Sequence, residues 1–106
     1  MFHVRRSGDA AVVEITGEID FSSSKPLGEI LASADVVSAT NVVVSLLECT
    51  YLDSSCIASL VGAQKRLEKR LAVVVRPGTI PAKILHLASL GTFFRLSDNL
   101  EAALAA

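Results

Sequence analysis

The sequence predicts an α/β fold in which a mixed β-sheet opens as an antiparallel hairpin, continues in parallel strands, and is packed by about four α-helices. Three observations predict it. Two alternating stretches, "FHVRR" and "AAVVEITGEI", are separated only by the turn residues Ser7, Gly8 and Asp9. Two valine-rich runs, "NVVVSLL" and "LAVVV", are short for helices and apolar enough to be covered on both faces, as strands of a parallel sheet are. Around these runs lie segments with apolar residues at helical spacing, which supply the crossovers that parallel strands require.

Each element follows from local chemistry. The hairpin pairs "FHVRR" with "AAVVEITGEI", and Gly17 marks the end of the second strand or a bulge in it. In "SSSKPLGEILASADVV", Ser22 to Ser24 offer hydroxyl caps, Pro26 stands near the first helical position, and Leu27, Ile30, Leu31 and Ala34 share a face. That segment is the first predicted helix. "NVVVSLL" is the candidate central strand, and "ECTYL" is read as the loop after it. Asp53 or Ser54 then caps a second helix, expected to run to about Lys69. Ile57, Leu60, Val61, Ala63, Gln64 and Leu67 line one of its faces, and Lys65, Arg66, Glu68, Lys69 and Arg70 fall on or beside the other.

"LAVVV" is the next buried strand, closed by Arg76, Pro77 and Gly78. Thr79 caps a third helix through Ile84, Leu87 and Ala88, with Pro81 tolerated in its first turn and Gly91 at its end. "FFRL" is a short last strand, and Asp98 with Glu101 forms a capping-box variant before the terminal helix "LEAALAA".

With 106 residues, about half of them hydrophobic, the chain suits one compact core and is read as a single domain, residues 1–106. A net charge of −1 and the lack of a long basic run leave no electrostatic footprint for nucleic acid or an anionic membrane surface. No apolar run approaches the roughly 18 to 20 residues that span a bilayer, and the start "MFHVRRSGDA" lacks the apolar region of a signal peptide. A cytoplasmic location without membrane insertion is the expectation. Cys49 and Cys56 are too few and wrongly spaced for zinc or a Cys-x-x-Cys pair, which leaves buried free thiols. His3 and His86 have no ligand partners at suitable spacing and are read as surface or boundary residues.

The stretch "YLDSSCIASL" concentrates the chemistry. Asp53, Ser54 and Ser55 stand where a strand hands over to a helix, so at minimum they end the loop and cap the helix. A hydroxyl there can also accept a phosphoryl group, which would meet free N–H donors and the positive end of the helix dipole and would add about 1.5 to 2 negative charges. Nucleophilic catalysis lacks its parts: no Gly-x-Ser-x-Gly elbow surrounds the serines, neither histidine falls in a triad motif, and no Walker A or Gly-x-Gly-x-x-Gly cradle is present. A further reading is redox sensing by Cys56 in the first helical turn. Its apolar neighbours favour a packed thiol instead.

"GEID" (Gly17 to Asp20), "NVVVSLLECTYLDSS", "LAVVV" and the tail with Leu87, Leu90, Gly91 and Phe94, in that order, resemble a STAS domain of the bacterial anti-sigma-factor antagonist type. The resemblance spans nearly the whole chain. It implies a non-enzymatic binding module for transcription regulation that binds an anti-sigma factor which is also a serine kinase, and is released by phosphorylation. Carried over by position, Ser55 is the phosphoacceptor, Ser54 its neighbour and cap, Asp53 its electrostatic companion, and Asp20 lies in a loop near the same surface. ATP and magnesium belong to the kinase, so no cofactor is expected here, and a homodimer is left open. Cys56 departs from the glycine that commonly follows the serine pair. The alternative is a STAS scaffold that works without phosphorylation, in a stress-signalling assembly or beside a membrane transporter.

Overall fold

The computed structural model describes residues 1–68 and 71–105. Five strands, β1 (Phe2–Ser7), β2 (Ala10–Ile19), β3 (Asn41–Leu52), β4 (Leu71–Val74) and β5 (Arg95–Ser97), form one sheet in the order β1-β2-β3-β4-β5. The β1–β2 pair is an antiparallel hairpin turned at Gly8, whose φ of 61° lies in the left-handed region; β2 to β5 run parallel. The mixed sheet expected from the sequence is therefore present.

The helices are α1 (Ser24–Leu31), α2 (Ala34–Val37), α3 (Ser54–Arg66), α4 (Ile80–Leu87) and α5 (Leu100–Ala105). Alternation along the strands gives the sheet two faces. Ala11, Val13, Ile15, Val42, Val44, Leu71 and Val73 meet Leu27, Leu31, Ile57, Leu60, Ala63 and Leu85 of α1, α3 and α4 in the main core. On the opposite face, Val12, Val43, Ala72 and Val74 are covered by Leu100, Ala103 and Leu104 of α5. β3 is buried on both faces, which is why its sequence reads as a continuous valine run.

The structure corrects several expectations. "ECTYL" is not a loop: β3 continues to Leu52 and pairs with β2 over Thr16–Ile19. From Glu14↔Ser45 to Thr16↔Glu48, β3 advances three residues while β2 advances two, and a second shift follows at Gly17, whose φ is 82°. Gly17 thus marks a bulge. The first predicted helix is broken into a 3₁₀ turn (Phe21–Ser23), α1 and α2; the five α-helices among the described residues remain roughly consistent with the four or so expected.

Capping differs too. The 3₁₀ turn is capped by Asp20, and Ser23, which precedes α1, makes no side-chain cap. Helix α3 ends at Arg66 in place of Lys69; Lys69 and Arg70 lie outside the described residues. Thr79 caps α4 as expected, accepting from Ala82 N at 3.4 Å. The end of α4 belongs to Ser89, not Gly91: Ser89 takes φ 60° while Leu90 N donates to Leu85 O and Ser89 N to His86 O, a Schellman closure. Asn99, not Asp98, caps α5 by accepting from Ala102 N at 2.8 Å. Of "FFRL", only Arg95 and Leu96 join β5; Phe93 and Phe94 precede it and stack edge to face.

Candidate functional site

The bulged extension of β3 places the site. Its last residue, Leu52, stands in register with Ile19, the last of β2, so Asp20 and Asp53 leave neighbouring strand ends side by side. Asp53 N donates to Ile19 O at 2.9 Å, which ties the two exits together. Each aspartate then starts a helical turn in the same way.

Asp53, with an extended backbone at φ −71° and ψ 151°, is the N-cap of α3. One carboxylate oxygen, Oδ1, accepts both Ser55 N at 2.8 Å and Ser55 Oγ at 2.7 Å. These two bonds, backbone first and hydroxyl second, hold the Asp53 carboxyl below its ordinary value. Ser54 is the first helical residue and exposed, so the capping role falls to Asp53 alone. Ser55 is half-buried, with its hydroxyl at the rim of the sheet and its proton directed at a carboxylate. Asp20 repeats the pattern on its own turn, accepting Ser22 N at 3.0 Å and Ser22 Oγ at 2.5 Å.

Cys56 is fully buried, and its thiol points away from solvent to donate to Asp20 O at 3.3 Å. Ser59, one turn later, donates to Ser24 O at 3.1 Å and Ser55 O at 3.3 Å. The bonds from Cys56 to Asp20 and from Ser59 to Ser24 join α3 to the segment that carries Asp20, whereas the bond to Ser55 O lies within α3. Burial pushes the Cys56 thiol up, with the carboxylates of Asp53 and Asp20 adding to the shift and a bond with the Ser55 side chain opposing it. A neutral, enclosed thiol is a poor redox sensor. Cys49 is likewise buried and free, its thiol donating to Tyr51 O at 3.2 Å.

The structure brings Asp20, Asp53, Ser54, Ser55 and Cys56 to one end of the sheet. Lys65 and Arg66 stand in the last turn of α3, about 15 Å along the axis from Ser55, where cations favour the dipole. They do not border the site. His3 and His86 are exposed on β1 and α4, and the Ser55 hydroxyl bonds the Asp53 carboxylate, so no Ser–His pair forms there. Among the described residues no cluster of histidine, cysteine or carboxylate side chains could hold a metal ion, and no helix is long and apolar enough to cross a membrane.

Two exposed aromatic residues near these strand ends are not singled out by the sequence. Phe21, directly after Asp20, is 74 % exposed, and Tyr51, near the end of β3, is 44 % exposed. The available signal was a single aromatic residue inside the polar run from Asp20 to Lys25.

The family model described as "Mlab, STAS domain" matches residues 2–104. The chain belongs to the STAS domain family. Among solved structures, this STAS domain resembles an anti-sigma factor antagonist from Mycobacterium paratuberculosis, with 25 % identity, coverage of 99 % of this chain and 91 % of that one, and a TM-score of 0.89. The Bacillus cell fate determinant SpoIIAA in its phosphorylated form shares the fold at 16 % identity, 99 % and 97 % coverage and TM-score 0.70. So does a sulfate transporter family protein from Wolinella succinogenes, at 19 % identity, 93 % and 84 % coverage and TM-score 0.71. No curated protein sequence is significantly similar to the chain.

Proposed function

We propose that this STAS domain is a non-enzymatic regulatory module of the anti-sigma-factor antagonist type. In the unmodified state it binds, in the cytoplasm, an anti-sigma factor that is also a serine kinase, and phosphorylation of Ser55 ends the binding. The observation that carries the reading is the Ser55 hydroxyl, held at the N-terminus of α3 by Asp53 on a fold that matches an anti-sigma factor antagonist at TM-score 0.89. A phosphate at that position gains the helix dipole and faces the Asp53 carboxylate, so it changes the surface charge where a partner docks. Ser54 lies beside the acceptor and Asp20 on the adjoining turn, both exposed to a partner. Cys56, in the place where the family commonly has glycine, is buried with its thiol on Asp20 O and adds no exposed side chain beside Ser55. ATP and magnesium are the kinase's.

The test is incubation of the chain with an anti-sigma-factor kinase and ATP, followed by mapping of the phosphate by mass spectrometry. Phosphate on Ser55, none in Ser55→Ala, and a weaker complex for Ser55→Asp than for Ser55→Ala are the expected results. Equal binding by the two variants would sink the charge switch.

The likeness to the sulfate transporter family protein favours one second reading, a STAS scaffold that binds without being phosphorylated. A stable complex with no phosphate on Ser55 supports that alternative.

A further inference from the structure

We propose that Phe21 is the apolar anchor of the face that docks the kinase of Ser55, and that the partner surface is an apolar pocket rimmed by lysine or arginine. The inference rests on the reading of Ser55 as a phosphoacceptor and adds to it the residue and the partner chemistry.

Exposure is the first ground. A phenylalanine that is 74 % exposed, on a short 3₁₀ turn, leaves most of its ring in water. Aromatic residues of this kind dominate interface energetics when they enter a pocket.

Position is the second. An ordinary interface covers about 800 Å² per partner, a disc of roughly 16 Å radius. This molecule measures only 30 × 27 × 22 Å, the turn carrying Phe21 contacts α3, and Asp20 O at its start accepts from the Cys56 thiol in the first turn of that helix. An enzyme that reaches the Ser55 hydroxyl therefore also covers Phe21. Tyr51, 44 % exposed and in register with Glu18, stands one residue before Leu52 at the same strand ends.

Rigidity is the third. The Phe21 turn is fastened to α3 by the Cys56 thiol on Asp20 O and by the Ser59 hydroxyl on Ser24 O. Asp20 closes the turn internally through Ser22. Anchor and acceptor thus hold a fixed separation, and little conformational entropy is lost on docking.

Charge selects the rim. Asp20 directly precedes Phe21, Glu18 stands in register with Tyr51, Asp53 follows at the same strand ends, and among the described residues none of the three forms an ion pair. A partner that buries Phe21 while leaving these carboxylates uncompensated would incur their desolvation, whereas cationic groups around the pocket offset it.

The test uses the full chain and, as probe, an anti-sigma-factor kinase that labels Ser55 in the wild type. Phe21→Ala is expected to weaken the complex roughly 10- to 30-fold and to raise KM for phosphorylation without lowering kcat, at an unchanged melting temperature. Phe21→Leu retains most of the affinity. Leu87→Ala removes another apolar side chain, 79 % exposed, from the far end of α4, and leaves binding unchanged. Wild-type affinity falls as salt is raised. Should Phe21→Ala bind like the wild type, or Leu87→Ala prove the weaker variant, the anchor is refuted while labelling of Ser55 keeps the functional reading intact. Salt-independent affinity refutes the cationic rim. If no such kinase labels or binds the wild type, the reading of Ser55 falls and the anchor with it.

Discussion

Asp53 gathers two donors of one residue on a single oxygen, Ser55 N and Ser55 Oγ, and both bonds favour the ionised carboxylate. Its folded-state pKa is below the ordinary 3.8, so the stability it contributes is present above that value and lost as pH falls through the lower folded value. Melting curves between about pH 6 and pH 2.5 should show a steeper acid loss for the wild type than for Asp53→Asn, which keeps an acceptor but no charge. Parallel curves would exclude this carboxylate as the source. The thiols act at the other end of the scale. Burial raises Cys49 and Cys56 above 9.0, so the stability they contribute is present below that value and lost as pH rises through their folded values. Alkylation of both in the native protein at neutral pH should be at least about 100-fold slower than in urea. Fast labelling of Cys56 would restore the redox reading. At this scale the motif Asp53-Ser54-Ser55 was legible in the sequence, because capping chemistry is local. The bond from Cys56 to Asp20 O was not, since it joins residues 36 apart through a handover between strands.

Where helices and strands end, the sequence succeeded when one local signal was decisive and failed when packing chose among several. The hairpin turn at Gly8 and the Thr79 cap were readable from turn and cap chemistry. The end of β3 was not: its buried residues Leu46, Cys49 and Leu52 fall three apart because the strand is bulged twice against β2. A search for alternation finds no strand there. The site inherits this difficulty, since the bulged extension is what carries Asp53 beside Asp20. Helix α4 offers a test. Gly91 suggested its end, yet Ser89 bears the left-handed φ of 60° and closes the Schellman motif. Ser89→Gly should stabilise the protein by about 0.5 to 1 kcal/mol, while Gly91→Ala, which meets nothing within 4 Å, should be close to neutral. Urea denaturation of the two variants checks the assignment, and the reverse order would return the helix end to Gly91.

The whole molecule keeps its packed layers apart from the proposed phosphorylation site. Its main core lies between the sheet and α1, α3 and α4, and α5 is fastened on the opposite face through Asn41, which donates to Ala103 O and accepts from Arg95. Ser55 touches neither layer's interior; it sits at the strand ends, where added charge meets water, the α3 dipole and the Asp53 carboxylate. Attraction to the dipole and repulsion from Asp53 oppose one another, so the phosphoserine proposed at position 55 should alter the surface far more than the fold. The phosphorylated protein should therefore melt within about 3 °C of the unmodified one, the shift expected for well under 1 kcal/mol in a domain of this size. Its amide resonances should move mainly at residues 20–24 and 53–59, the two turns joined by Cys56 and Ser59. Changes that reach β4, β5 or α5 would mean that the switch acts by repacking the sheet, and the docking face would then have to be sought in a rearranged molecule.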